Sequence, residues 1–332
     1  MTTLDARGPG RAMPSDLPPW RAPEALFPDT RIDYVDRWPS IAAARAALED
    51  QRPSTCGAYA ARYLLGPLGF PVHAGIPTTR EDYLAFLAGT VLETWEDGPA
   101  RATREEVRSL GLDDAAAAAR FPQAWYGWDL RSTADPAVAG TAPAGTARTV
   151  SLASDGALVT LPIAARRLEG SVLLTPPRWE ALLDFIAADG PRLGLHPIVN
   201  YQSDELLNPV TDAYSAAALT APDPEALIPL DSWGVGHFAG VGAIWRPADG
   251  RRWLLLVDTY RNRGFAGFQP QPAELVRRGL VRSDGREGGV LLAMPRESLD
   301  ETAAAAAAMG LEARMWSNGS LDPERWTWSL GQ

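Results

Sequence analysis

Gly236-His237-Phe238-Ala239-Gly240-Val241-Gly242-Ala243-Ile244-Trp245 is followed, across Pro247-Ala248-Asp249-Gly250, by Arg252-Trp253-Leu254-Leu255-Leu256-Val257-Asp258-Thr259-Tyr260. Asp-Gly between two apolar runs is a strong hairpin signal, because it supplies the positive-φ residues that a tight turn demands. The stretch therefore predicts two antiparallel strands, Phe238–Trp245 and Arg252–Tyr260. His237 opens the first strand and Asp258 follows the apolar core of the second, so pairing brings them to one end of the sheet. Gly289–Met294 reads as a further strand and Ala313–Ser317 as a possible last one, with helices over Pro272–Leu280 and Glu297–Met309. The back half of the chain is β.

Working outward, the front half is mainly helical. Ser40–Leu48 reads as a short helix capped by Ser40. A Pro/Ser/Thr loop, Gln51–Cys56, leads into an Ala-rich helix from Cys56 to Leu65 that Gly66-Pro67 stops. Thr79-Arg80-Glu81-Asp82 and Thr103-Arg104-Glu105-Glu106 resemble capping boxes, and Asp113–Arg120 is helical on propensity. Asp135–Arg148 reads as a linker or long surface loop, and Thr149–Leu152 with Ala157–Leu161 as a hairpin around Ser154-Asp155-Gly156. Trp179, Leu182, Leu183 and Ile186 mark a helix over Pro177–Ala188, and His196–Tyr201 is a strand that Pro197 restricts to an edge or an end. Helices first and an antiparallel sheet afterwards predict an α+β fold, not a doubly wound parallel sheet.

Composition bounds the function. The chain has 332 residues, a single cysteine and a formal net charge of −10. One cysteine excludes an internal disulfide and suits a reducing compartment. The acidic balance argues against nucleic-acid or anionic-membrane partners, which need basic surface. Met1–Gly10 carries no secretory pattern and no apolar run approaches 18 residues, so the expectation is a soluble, cytoplasmic protein with no membrane partner. Residues 1–38, with Pro14, Pro18, Pro19, Pro23 and Pro28, read as a Pro-rich tail or a strap over a domain surface. Lysine is absent and all 31 basic residues are arginine, which a compositional bias explains more simply than a function does.

The chemistry centres on the lone cysteine. A helix N-terminus presents unpaired N–H groups and a partial positive charge, which favours a thiolate over a thiol. Taken alone, Cys56 reads as a small buried apolar residue before it reads as a nucleophile; its place where loop meets helix, with Gln51 five residues upstream, reverses that order. His237 is the candidate base, and Asp258 the candidate partner that fixes its tautomer, with Asn262 a second candidate for that role. Gln51 would donate to a developing oxyanion together with the Cys56 N–H. His73 and His196 read as structural. Neither metal-ligand spacing nor a phosphate-binding loop is present, and Gly234–Gly240 precedes a strand where a dinucleotide loop would precede a helix, so no cofactor is expected.

Gln51…Cys56-Gly57 at a helix start, Gly236-His237-Phe238 leading a strand and Val257-Asp258 ending the next together resemble the papain-like cysteine peptidases. Within them the set is most similar to the bacteriocin-leader-processing peptidases and their uncharacterised actinobacterial relatives. The resemblance covers about residues 48–66 and 230–295. It implies a papain-like fold in which the N-terminal helical part carries Cys56 and a C-terminal antiparallel sheet carries His237 and Asp258. It also implies amide hydrolysis of a peptide or protein substrate, with Cys56 as nucleophile, His237 as general base and acid, Asp258 as orienter and Gln51 as oxyanion donor. Two departures stand out: Gly57-Ala58-Tyr59 follows the cysteine where many relatives have Gly-Pro or Gly-Leu, and the Cys-to-His interval of 181 residues is long. The interval predicts a single catalytic domain over 39–332 with a large insertion at about 110–230. An acyl or amidotransferase with the same triad, and an inactive peptide-binding relative, are the competing readings.

Overall fold

The computed structural model of the chain describes residues 17–93, 104–120, 130–207 and 234–321. In the front half lie α1 (Ala22–Leu26), β1 (Ile32–Tyr34), α2 (Trp38–Ala47), α3 (Cys56–Leu65), α4 (Glu81–Ala88), α5 (Arg104–Ser109), α6 (Asp114–Arg120) and α7 (Pro143–Leu152). There follow β2 (Leu158–Ala164), α8 (Pro176–Leu193), β3 (His196–Gln202), β4 (Gly236–Trp245), β5 (Trp253–Val257) and β6 (Phe268–Pro272). The last elements are α9 (Ala273–Val281), β7 (Gly289–Pro295) and α10 (Leu299–Ala308).

These seven strands form one sheet, with β6-β5-β4-β3-β7-β2 in order and every pair antiparallel. β4 is longer than its neighbours: β3 pairs with residues 236–240, and on the same side β1 pairs with residues 243–245. The sheet is covered on both faces. Leu255 and Val257 point into a core shared with Ala42, Tyr59, Tyr63 and Leu84 of α2, α3 and α4. Leu254 and Leu256 point the other way, into a core with Trp179 and Leu182 of α8 and Val276 of α9. Burial on both faces is why Leu254–Val257 reads as a continuous apolar run, a pattern more usual in parallel sheets. The outcome is α+β with an antiparallel sheet, as the hairpin signal requires. Among the described residues no helix is long and apolar enough to cross a membrane.

Several local expectations fail for identifiable reasons. Thr149–Leu152 is the end of α7, not a strand. Pro143 starts this helix, Thr149 satisfies its hydroxyl on the carbonyl of Gly145 at 3.0 Å, and burial against α3 and α4 overrides strand propensity. The positive φ of Asp155 and Gly156 serves to leave the helix, not to turn a hairpin. One expectation holds in its second form: β3 lies inside the sheet, not at its edge, but Pro197 stands at its end, before Ile198, where pairing with β4 begins. Ala313 makes a single bridge to Ile163 and no strand.

Neither front-half cap is the predicted one: α2 starts at Trp38 after Arg37, with Ser40 inside it, and Arg80 precedes α4 without a side-chain cap. Thr103 lies outside the described residues. The Pro-rich N-terminal stretch is a strap from Pro19 onward, since α1 and β1 pack on the sheet; residues 1–16 lie outside the described residues. The described part of 110–230 supplies α6, α7, β2, α8 and β3, so β3 from this stretch stands between β4 and β7.

Candidate functional site

Cys56 is the first residue of α3, with Thr55 as the N-cap. The loop before it is clamped from α4. Glu81 accepts from the Arg52 N–H at 2.7 Å and from the Thr55 hydroxyl, so this carboxylate holds the loop before Cys56 in place of capping its own helix. Ser54 is held at φ 65°, a left-handed value that turns the chain into the helix. Gly57 is dictated by packing: a Cβ there would collide with the Thr146 hydroxyl and lie 2.8 Å from Thr141 Cβ. The helix start therefore sits flush against α7, and Cys56 is 9% exposed.

His237 is the second residue of β4, opposite Tyr201 of β3. Its ring is gripped on two sides, stacked on Tyr260 at 5.8 Å between centroids and 13° between planes, and edge-on to Tyr201 at 5.7 Å. Nε2 lies 3.2 Å from Asp258 Oδ1 and 3.2 Å from the Thr259 hydroxyl. Cys56 is near enough to the same ring to favour its protonated form.

Asp258 follows the end of β5 and is buried, yet well supplied with donors. Oδ1 also accepts the Tyr260 N–H at 2.8 Å, and Oδ2 accepts from Gln269 Nε2 at 2.6 Å and from the Tyr201 hydroxyl at 3.4 Å. Its backbone carbonyl accepts from Nε of Arg45, whose guanidinium is buried beneath the loop. Burial alone would discharge the carboxyl; the His237 imidazolium, the Tyr260 N–H and Arg263 together hold it below its usual range. Burial likewise opposes the imidazolium, but Asp258 and Cys56 outweigh it and raise His237 to about 9. The pair is thus a buried carboxylate–imidazolium pair at neutral pH.

Gln51, Cys56, His237 and Tyr260 open onto one cavity of about 570 Å³. Asn318, Ser320 and Arg286 also line it, which makes the cavity polar. Gln51 Nε2 donates to Tyr260 Oη at 2.9 Å. All four sequence-predicted residues therefore meet at this end of the sheet, while Asn262 is exposed and Asp258 takes the partner position. His196 is buried at the opposite end of β3, and His73 bonds Tyr83 and Asp155, both away from the cavity.

Sequence reading missed Tyr201, Thr259, Tyr260, Gln269 and Arg45. Thr259-Tyr260 directly follows Asp258 and could have been found by asking what the residues after the strand would touch. Gln269 and Arg45 carry no such signal. Chemically, a thiol beside an imidazole that is fixed by a carboxylate can attack an acyl carbon and shuttle the proton to the leaving group. Among the described residues no group of three His, Cys, Asp or Glu side chains could hold a metal ion.

No curated protein matches the chain. Residues 35–317 match the model of a family of unknown function, DUF6885, and the chain belongs to that family.

Proposed function

We propose that this DUF6885 member is a thiol hydrolase of the papain-like type, cleaving an amide bond in a peptide or protein. The observation that carries the reading is that Cys56, at a helix start, and His237 line one cavity, with Asp258 Oδ1 3.2 Å from His237 Nε2 behind it. A nucleophile-bearing helix packed on an antiparallel sheet that carries base and acid on consecutive strands supports the papain-like assignment.

In the forward step the Cys56 sulfur, as thiolate paired with the His237 imidazolium, forms a bond to the acyl carbon. The carbonyl π pair moves onto oxygen. Collapse of that intermediate expels the amine, which takes the proton from His237 and leaves a thioester. Neutral His237 then removes a proton from water, whose oxygen attacks the thioester; sulfur departs as thiolate and the acid product leaves. Asp258 keeps Nε2 protonated and the ring aimed throughout.

Intact-protein mass spectrometry of iodoacetamide labelling tests this directly, because Cys56 is the only thiol. Labelling that slows at least about tenfold in His237→Ala relative to the native chain is the expected result, since the thiolate is the form that reacts and His237 is placed to take its proton. Labelling indifferent to His237 would remove the proposal.

A further inference from the structure

β6 is an edge strand, yet it buries two glutamines. Gln269 stands opposite Leu256 and Gln271 opposite Leu254, so both share the face that packs on α8 and α9. They are 2% and 0% exposed. An apolar pair would fill that face at lower cost, since a buried amide must find partners for its N–H groups and its carbonyl. Asp258 lies two residues beyond Leu256, and its N–H still bonds across to the Gly267 carbonyl. Its side chain therefore falls on the same face, diagonal to Gln269 and within reach of a long side chain.

The three side chains form one directed row. The main-chain N–H of Leu207 can only donate, and it does so to Gln271 Oε1 at 3.0 Å. That fixes which end of the Gln271 amide is oxygen. Gln271 Nε2 then donates to the Leu207 carbonyl at 2.7 Å and to Gln269 Oε1 at 3.2 Å. With its oxygen so used, Gln269 turns Nε2 to Asp258 Oδ2 at 2.6 Å, the short distance of a bond to a charged acceptor. The Tyr201 hydroxyl reaches the same oxygen only at 3.4 Å, so Gln269 is the stronger donor there. We propose that Gln269, set by Gln271 and through it by the Leu207 main chain, is a positioning residue that holds the Asp258 carboxylate with Oδ1 facing His237.

This role rests on the hydrolase reading and adds no chemical step to it, because Gln269 acts on sulfur only through Asp258 and His237. Gln269→Met keeps the length of the side chain and removes its N–H groups. Iodoacetamide labelling of Cys56 should then slow on the order of fivefold, less than in His237→Ala, because the Tyr260 N–H and the Tyr201 hydroxyl still hold the carboxylate. The loss should vanish in a chain that already carries His237→Ala, since no base is left for the carboxylate to aim. The ring N–H proton of His237, which a hydrogen bond to carboxylate moves to low field, should shift upfield or disappear by exchange in Gln269→Met. Gln271→Met, one bond further back, should show the same pattern at on the order of twofold, and carries the test where Gln269→Met does not fold.

A loss of equal size with and without His237, the ring proton unmoved, would mean that Gln269 serves only the sheet edge, and would overturn the assignment. Native labelling rates in both glutamine variants would overturn it as well. Labelling of the native chain that does not depend on His237 removes the hydrolase reading itself and the positioning role with it, a failure recognised before either glutamine is changed.

Discussion

Replacing Asp258 with asparagine should convert His237 from an imidazolium at neutral pH into a neutral ring. His237 titrates at about 9 in the fold, against 6.5 for the free side chain. At about 1.36 kcal/mol per pH unit that difference is worth about 3 kcal/mol of preference for the charged form. The balance comes from two opposed effects: burial, the larger single cause, disfavours the charge, and Asp258 is foremost among those that overturn it. The substituted amide would retain the shape and one hydrogen bond but not the charge. The midpoint should then fall by more than the 2.5 units that separate about 9 from 6.5, to the acid side of the free value, since burial is then opposed chiefly by Cys56.

The same shift makes a statement about stability. The folded value lies above the unfolded one, so the stabilisation is complete below pH 6.5 and is lost as pH rises through about 9. Histidine ring resonances report both effects, and with three histidines in the chain they can be assigned by single substitutions. Urea midpoints between about pH 6.5 and 9.5 give the stability slope, which should be present in the native chain and absent in Asp258→Asn. A native His237 that titrates near the free value, or a midpoint that Asp258→Asn leaves in place, would refute the buried ion pair and the chemistry built on it.

Two further expectations concern the scaffold. His196 is buried with both ring nitrogens unpartnered; burial, assisted by Arg37 and only partly opposed by Asp36, lowers it from 6.5 to about 4. Its folded value lies below the unfolded one, so the unfolded chain takes up the proton first, and about 3 kcal/mol of stability should disappear as pH falls from the free value through the folded one. Comparing urea midpoints of the native chain and His196→Leu across that window isolates this share; parallel curves would count against it. At Gly242, where the β4–β5 register shifts, an added Cβ would drive into the Trp38 ring. Gly242→Ala should cost about 1–3 kcal/mol of overpacking, partly recovered by Trp38→Leu, and a neutral Gly242→Ala in urea unfolding would contradict it.

The features legible in the sequence are those where one local signal suffices. Apolar runs about an Asp-Gly turn were enough for β4 and β5, and a loop running into an Ala-rich stretch was enough for α3 and the placement of Cys56. The features that were not legible depend on partners far away in sequence. β6 reads Phe-Gln-Pro-Gln-Pro and looks like a loop until it is seen at the sheet edge, where Pro270 and Pro272 are tolerated. α7 reads as linker and strand because its small residues are selected by contact with α3 and α4, not by helix propensity. Glu81 looks like a capping residue and is instead the clamp on the loop before Cys56. The Gln51 side chain was expected to fold beside the sulfur; it lines the same cavity as Cys56, and nothing local reveals its bond to Tyr260.

The bonds that tie the nucleophile loop to the acid loop cross very long stretches of chain: 209 residues from Gln51 to Tyr260, 213 from Arg45 to Asp258, and 215 from Ala46 to Arg261. Such pairings raise the contact order, and high contact order slows folding. During synthesis, at about 5–20 residues per second, the Cys56 helix would wait roughly ten seconds or more before His237 and Asp258 emerged. Closure of the site is therefore a late event, coupled to completion of the sheet. A nascent or truncated chain carries Cys56 without His237 and Asp258, so the assembled cleft reports on the integrity of the whole fold.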